Sequence, residues 1–213
     1  MNKSKKIISF MFFIVLLVNS VFAKSKQEEK TEDSDKLSFS IYGSDHMVSI
    51  PLPNYWTVDM DAAHQNNLNG FFYIAEKGIN DSPAYIFVNL YSKNPNNSFS
   101  DFVQYMTSSL AEYQPNYSVK KVGSEKFETQ MNNWNVEIYD VNTKSGHGHF
   151  QKIVYMECEN KYYIEIYIDC YQDDYKNNDK YIQDFVECFH EINYLNVQFK
   201  EKKIKSIFKR SKK

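Results

Sequence analysis

The stretch from Trp134 to Cys170 constrains the fold more than any other part of the chain. It reads WNVEIYDVNT, KSGHG, HFQKIVYMEC, ENK and YYIEIYIDC, three strand-like runs joined by two turn signals. In 161–170 the even positions Tyr162, Ile164, Ile166, Ile168 and Cys170 are apolar, while the odd ones include Glu165 and Asp169. A period of two marks a strand with one strongly buried face. In 149–158 the apolar set is again even, Phe150, Val154, Met156 and Cys158, with Lys152 as the misfit. Together these sets predict a register. A three-residue loop, Glu159-Asn160-Lys161, places Met156 opposite Ile164 and Val154 opposite Ile166, whereas a one-residue slip would set apolar face against acidic face. Trp134, Val136 and Ile138 fall on one side of the first run and Tyr139 and Val141 on the other, so both faces of the sheet are expected to be at least partly covered. Glu165, Asp169, Asp173 and Asp174 read as a solvated acidic edge.

Upstream, Leu37–Tyr42 and Met47–Ile50 flank the turn cluster Gly43-Ser44-Asp45-His46 and predict a hairpin added to the meander. Pro51 is expected to end its second strand, because proline cannot donate to a ladder. Residues 57–70 carry no strong period. Phe71–Ala75 and Ala84–Tyr91 read as strands, and the second is apolar on both faces, as a central strand is. Ser98 and Asp101 form a capping-box pattern, after which Phe102, Val103, Met106, Leu110 and Tyr113 share one helical face before Pro115. Tyr117–Val122 with Phe127 predicts another strand. A last helix from about Asn178 and Asp179 presents Ile182, Phe185, Val186, Phe189 and Ile192.

That order of elements resembles the PsbP-like fold, the superfamily of the photosystem II extrinsic protein, a Ran-binding nuclear import factor and uncharacterised bacterial envelope proteins of DcrB-like type. The residues carrying the resemblance are Ile50-Pro51-Leu52-Pro53 with Trp56, the helix start Ser98-Phe99-Ser100-Asp101-Phe102, and Tyr163–Asp169 followed by Tyr181–Phe189. It implies an α/β (α+β) architecture, an antiparallel β-sheet with helices packed on both faces in an α/β/α sandwich. It brings no catalytic residues and no cofactor.

The N-terminus indicates the compartment. Lys3, Lys5 and Lys6 precede an apolar run from Ile7 to about Val18, and Val21-Phe22-Ala23 fits a signal-peptidase site. The expected organisation is a signal peptide over 1–23 cleaved after Ala23, and a charged, disordered linker over 24–36. A single domain over 37–195 follows, then a basic tail over 196–213. A periplasmic or secreted location follows. Three cysteines in an oxidising compartment leave one odd. In the predicted register Cys158 and Cys170 sit at opposite ends of one hairpin, too far apart to join. Cys188 could then pair with Cys158 or Cys170, or all three could be small buried hydrophobes.

Candidate chemistry is sparse. His147 and His149 lie two apart, which in an extended segment puts both imidazoles on one side, a weak metal candidate with too few ligands. Gly43-Ser44-Asp45-His46 holds the residue types of a hydrolase triad, but neighbours in a turn do not make one, and the reading is an exposed turn. There is no G-x-S-x-G, phosphate loop or H-E-x-x-H. The tail is the strongest charge feature. Eight Lys or Arg and one Glu in 200–213 give +7, while 14 Lys plus Arg and 26 Asp plus Glu in 24–199 give −12. Lys202, Lys203, Ile204, Lys205, Ile207, Phe208, Lys209 and Arg210 combine basic and apolar groups suited to anionic lipid or an envelope partner. The acidic body argues against nucleic acid. The sequence thus reads as a non-catalytic extracytoplasmic binding or envelope protein. The alternative is a metal-dependent or hydrolytic envelope enzyme using the His147/His149 region.

Overall fold

Alternation along the chain becomes sheet, and the helical stripes lie over it. The computed structural model describes residues 36–145, 148–159, 161–171 and 179–196. The strands are β1 (Lys36–Tyr42), β2 (His46–Pro53), β3 (Trp56–Val58), β4 (Gly70–Ile74), β5 (Ala84–Ser92), β6 (Tyr117–Glu128), β7 (Asn133–Thr143), β8 (His149–Glu157), β9 (Tyr162–Tyr171) and β10 (Asn193–Asn196). The helices are α1 (Met60–Gln65), α2 (Phe99–Tyr113) and α3 (Asp179–Glu191). A seven-stranded antiparallel sheet runs β3-β4-β5-β9-β8-β7-β6, and a three-stranded one runs β1-β2-β10. This is a mixed α+β fold with helices on both faces of the large sheet.

The meander has the predicted register, with Met156 opposite Ile164 and Val154 opposite Ile166. Lys152 is accommodated on its apolar side because its Nζ reaches the Asp140 carboxylate across the ladder at 2.5 Å. The helix cap is also as predicted. Ser98 Oγ accepts from the Asp101 backbone N–H at 3.2 Å, and Asp101 accepts from the Ser98 N–H at 2.9 Å.

Four expectations are corrected. The hairpin β1–β2 does not extend the meander; β2 pairs with β10, Ser49 opposite Asn193, in the separate sheet. Alternation fixes which residues of a strand are buried but not which sheet it joins. Pro51 does not end β2, which continues to Pro53 against β1 alone, beyond the reach of β10, where a missing N–H costs no second ladder. Residues 57–70 hold β3 and α1, whose start is capped by Asp59 accepting from the Ala62 N–H at 2.8 Å. Tyr113, assigned to the apolar face of α2, is exposed at its end.

One side of the large sheet is closed. The three-stranded sheet and α3 lie over it, and Val48, Ile50, Leu52, Ile86, Val88, Ile164, Ile166, Ile168, Phe185 and Phe189 are buried together there. The layers meet closely, since a Cβ on Gly70 would come within 2.7 Å of the Ile41 side chain. Asp184 of α3 is buried with its carboxylate accepting from Trp56 Nε1 at 3.1 Å and from the Tyr55 hydroxyl. Cys158, Cys170 and Cys188 all lie in this core, and burial pushes the Cys158 thiol up to about 12. The other side carries α2. Among the described residues no helix is long and apolar enough to cross a membrane.

Candidate binding face

Side chains of alternate residues on neighbouring strands form rows across a sheet. On the α2 side, Tyr163 stands opposite Tyr91. The next row is Tyr155, Glu165 and Asn89. Then come Ile153, Tyr167, Phe87 and Phe71, followed by Gln151, Asp169, Tyr85 and Tyr73. The helix covers the start of this series. Phe102 of α2 stacks on Tyr163 at 4.3 Å and lies 5.5 Å from Tyr91, and Val103 is buried beside them. Beyond Glu165 the cover ends. Phe71, Tyr73, Tyr85, Phe87 and Tyr167 are only partly buried, and of these only Tyr167 joins the cluster packed under α2.

These rings contact one another instead. Phe87 stacks on Tyr167 at 4.6 Å, Phe71 on Tyr85 at 5.7 Å, and Phe71 lies 5.1 Å from Phe87. The Phe87–Tyr167 and Phe71–Tyr85 pairs are near parallel at spacings close to the strand separation, and Phe71 is tilted by 40° against Phe87. The Tyr85 hydroxyl donates to the Ile79 carbonyl at 2.8 Å, which fixes the outer end of the ladder.

Glu165 marks the border between covered and open. Only 6% of it is exposed, although the sequence places it on a solvated acidic edge. The correction has a clear cause. Strand β9 is interior to the sheet, so β5 and β8 bring Asn89, Tyr91 and Tyr155 up to the carboxyl from either side, and Tyr163 and Tyr167 flank it along its own strand. Glu165 Oε2 accepts from Asn89 Nδ2 at 2.8 Å and from the Tyr91 hydroxyl at 2.9 Å, and the Tyr155 hydroxyl also bonds the carboxyl. Burial raises its pKa, and the three hydrogen bonds, which favour the charged form, offset this only in part. The flanking Tyr91, Tyr155 and Tyr167 hydroxyls are raised too, first by burial and then by the nearby carboxyl. Asp169 differs, being partly exposed and paired with His149 Nδ1 at 2.6 Å and Gln151 Nε2 at 2.8 Å.

A cavity of about 240 Å³ opens beside Glu165, between the C-terminal half of α2 and the strands, with Asn89, Leu110, Gln114, Gln151 and Tyr167 in its wall. A larger one of about 560 Å³ lies at the far end of the sheet beside Trp134, with Lys93, Lys126, Glu128 and Glu157 around it. Glu159 lines it too, and Lys93 Nζ pairs with Glu157 at 3.1 Å.

The candidates named from sequence separate. His149 meets Asp169 and the Tyr171 ring at 4.7 Å, while His147 lies outside the described residues. Among the described residues no group of three or more His, Cys, Asp or Glu is placed to hold a metal ion. His46 does not sit in an exposed turn but is 7% exposed, bonded to Asp45 at 3.0 Å and packed on Tyr162 and Tyr194. Gly43 leaves room for it, because a Cβ there would strike the His46 ring at 2.0 Å. Cys188 shares the closed core with Cys158 and Cys170. The tail residues Lys202, Lys203, Ile204, Lys205, Ile207, Phe208, Lys209 and Arg210 lie outside the described residues, as do Asp173 and Asp174. The reading from sequence missed the Glu165 network. Its signal was the odd set Tyr155, Tyr163 and Tyr167, a second apolar face around one acid.

No family model matches the chain, and no curated protein does. Among solved structures it is similar to cyanobacterial PsbP from Synechocystis sp. PCC 6803, with TM-score 0.48 and 8% identity over 79% of this chain and 96% of that one. It is similar to the Saccharomyces cerevisiae Ran-binding protein Mog1p, with TM-score 0.47 and 10% identity over 76% of this chain and 96% of that one. It is also similar to Mycobacterium tuberculosis LpqN, involved in cell envelope biogenesis, with TM-score 0.48 and 9% identity over 76% of this chain and 93% of that one. All three have the PsbP-like fold that the sequence resembles. The likeness is one of fold, and no residue role is taken from it.

Proposed function

We propose that this chain is an exported, non-catalytic binding protein whose ligand side is the open half of the α2-bearing face. The observation that carries the reading is the aromatic ladder Phe71, Phe87 and Tyr167, left partly exposed where α2 ends and bordered by the cavity at Glu165. Partly exposed aromatic surface beside a few fixed polar groups is the composition of binding sites. The polar groups at hand, Asn89, Gln151 and Asp169, hydrogen-bond and orient; His149 and Asp169 are already engaged with each other. Export rests on the apolar run and Val21-Phe22-Ala23 of the sequence. The basic tail adds a salt-sensitive hold on anionic lipid or an envelope partner, each basic residue near such a surface contributing about 1 kcal/mol.

The test is an aromatic-ring NMR screen of the mature chain against separate sets of sugars, amines, carboxylates and acyl chains. Compounds that bind are expected to shift the Phe87 and Tyr167 signals and to lose that effect in Phe87→Ala. Shifts gathered around Trp134 instead, indifferent to Phe87→Ala, would contradict the reading.

A further inference from the structure

The cavity beside Glu165 is built from groups that agree in electrostatic sign. Glu165 supplies a carboxyl held by Asn89 and Tyr91. Gln114 contributes a buried side-chain oxygen, Oε1, that accepts no hydrogen bond. The cavity lies at the C-terminal end of α2, through Leu110 and Gln114, and that helix has no basic residue in its last turn. A helix C-terminus carries a partial negative charge and favours cations. No Lys or Arg stands in the wall, while Tyr155 and Tyr167 do. A buried acceptor without a donor is costly, and a turn of the Gln114 side chain would bring Oε1 to the space that the Glu165 carboxyl and the end of α2 border.

We propose that this cavity is an alkylammonium site, taking the charged end of a small amine or of a lysine side chain. The inference rests on the reading of the open face as the ligand side. An ammonium brings N–H donors for Gln114 Oε1 and the Glu165 carboxyl, and a charge that aromatic rings attract. The size agrees, since about 240 Å³ is below the range of drug-sized ligands and suits a short chain with one head group. Burial keeps the empty carboxyl protonated to higher pH than usual. The entering cation favours the carboxylate, so the carboxyl proton leaves to solvent as the ion pair forms. The titratable groups around Glu165 are Tyr91 of β5, Tyr155 of β8 and Tyr167 and Asp169 of β9; α2 contributes the non-titrating Met106, Ser109, Leu110 and Gln114. The tyrosines stay protonated throughout, and Asp169 stands outside the cavity wall, engaged with His149 and Gln151, which leaves Glu165 as the source of the proton.

The experiment is calorimetric titration of the full mature chain with n-butylammonium, with n-butanol as the neutral isostere and Nα-acetyl-lysine methylamide as the side-chain source. Below the raised Glu165 pKa, butylammonium is expected to release up to about one proton on binding, seen as a heat that depends on buffer ionisation, because the amine itself stays charged to roughly pH 10. Butanol should bind at least tenfold more weakly. Stronger binding by the lysine derivative assigns the site to a protein side chain, and stronger binding by butylammonium assigns it to a free amine. Glu165→Gln is expected to lose at least tenfold in affinity and the proton release. Gln114→Lys, at a position that is not fully buried, should block the site with its own ammonium and serves if Glu165→Gln folds poorly. Equal binding of butanol and butylammonium, or amine binding unchanged in Gln114→Lys, overturns the inference. If amines leave Tyr167 undisturbed while another class shifts Phe87, the ammonium assignment fails and the ligand side stands.

Discussion

The even and odd residues of β9 meet unlike surroundings. Ile164, Ile166 and Ile168 are fully buried against a second sheet and α3, so that side is selected for volume and shape. Tyr163, Glu165, Tyr167 and Asp169 go from covered to open along the same strand, and each carries a polar atom with a named hydrogen bond or a partly exposed ring. A doubly covered side excludes water, and the carboxylate buried there, Asp184, is hydrogen-bonded, while Trp134 Nε1 on the same side finds no acceptor. A half-covered side can retain polar groups at its border, where a ligand can complete their bonding. The contrast sets the packed core on one side and the proposed ligand side on the other.

The sharpest break of that contrast is Ile166→Asp, which puts a charge opposite Val154 and Val88 in the closed core. A loss on the order of 4 kcal/mol or more is expected, read as unfolding in urea melts. Glu165→Ala comes next, at about 1–3 kcal/mol, because the Asn89 and Tyr91 donors lose their buried acceptor. A change under about 0.5 kcal/mol would place Glu165 on an ordinary surface.

A pH series on wild type and Glu165→Gln sharpens the same point. The folded pKa is raised above the ordinary 4.5, so in the window between them the folded state holds the proton more often than the unfolded state. Stability relative to Glu165→Gln should therefore fall as pH rises from about 4.5 through the folded pKa, then level off. A difference that grows with pH instead would contradict the burial argument. Phe87→Ala should cost about 1–2 kcal/mol, since the ring is only partly buried, while abolishing probe shifts at Tyr167. Smallest of all, removing residues 200–213 should leave the melting temperature unchanged and abolish low-salt co-sedimentation with anionic vesicles. Equal partitioning with and without the tail would remove its assigned role.

The closed side was legible in the sequence because period-two alternation is strongest there; it fixed the β8–β9 register to the residue. The capping box of α2 was equally legible, being local. The pairing of β2 with β10 was not, because residues some 145 positions apart share no local signal. Glu165 was misread for a related reason. A carboxylate in an alternating strand defaults to solvent, and only the central place of β9, together with Tyr91 and Asn89 arriving from β5, reverses that.

The most direct test is the titration of the Glu165 side-chain carboxyl itself, followed by carbon-13 NMR in the chain without residues 1–23, with and without n-butylammonium. The account predicts a midpoint above the ordinary 4.5 in the free protein and a lower one with the amine bound. A midpoint at or below 4.5, unmoved by the amine, would contradict it.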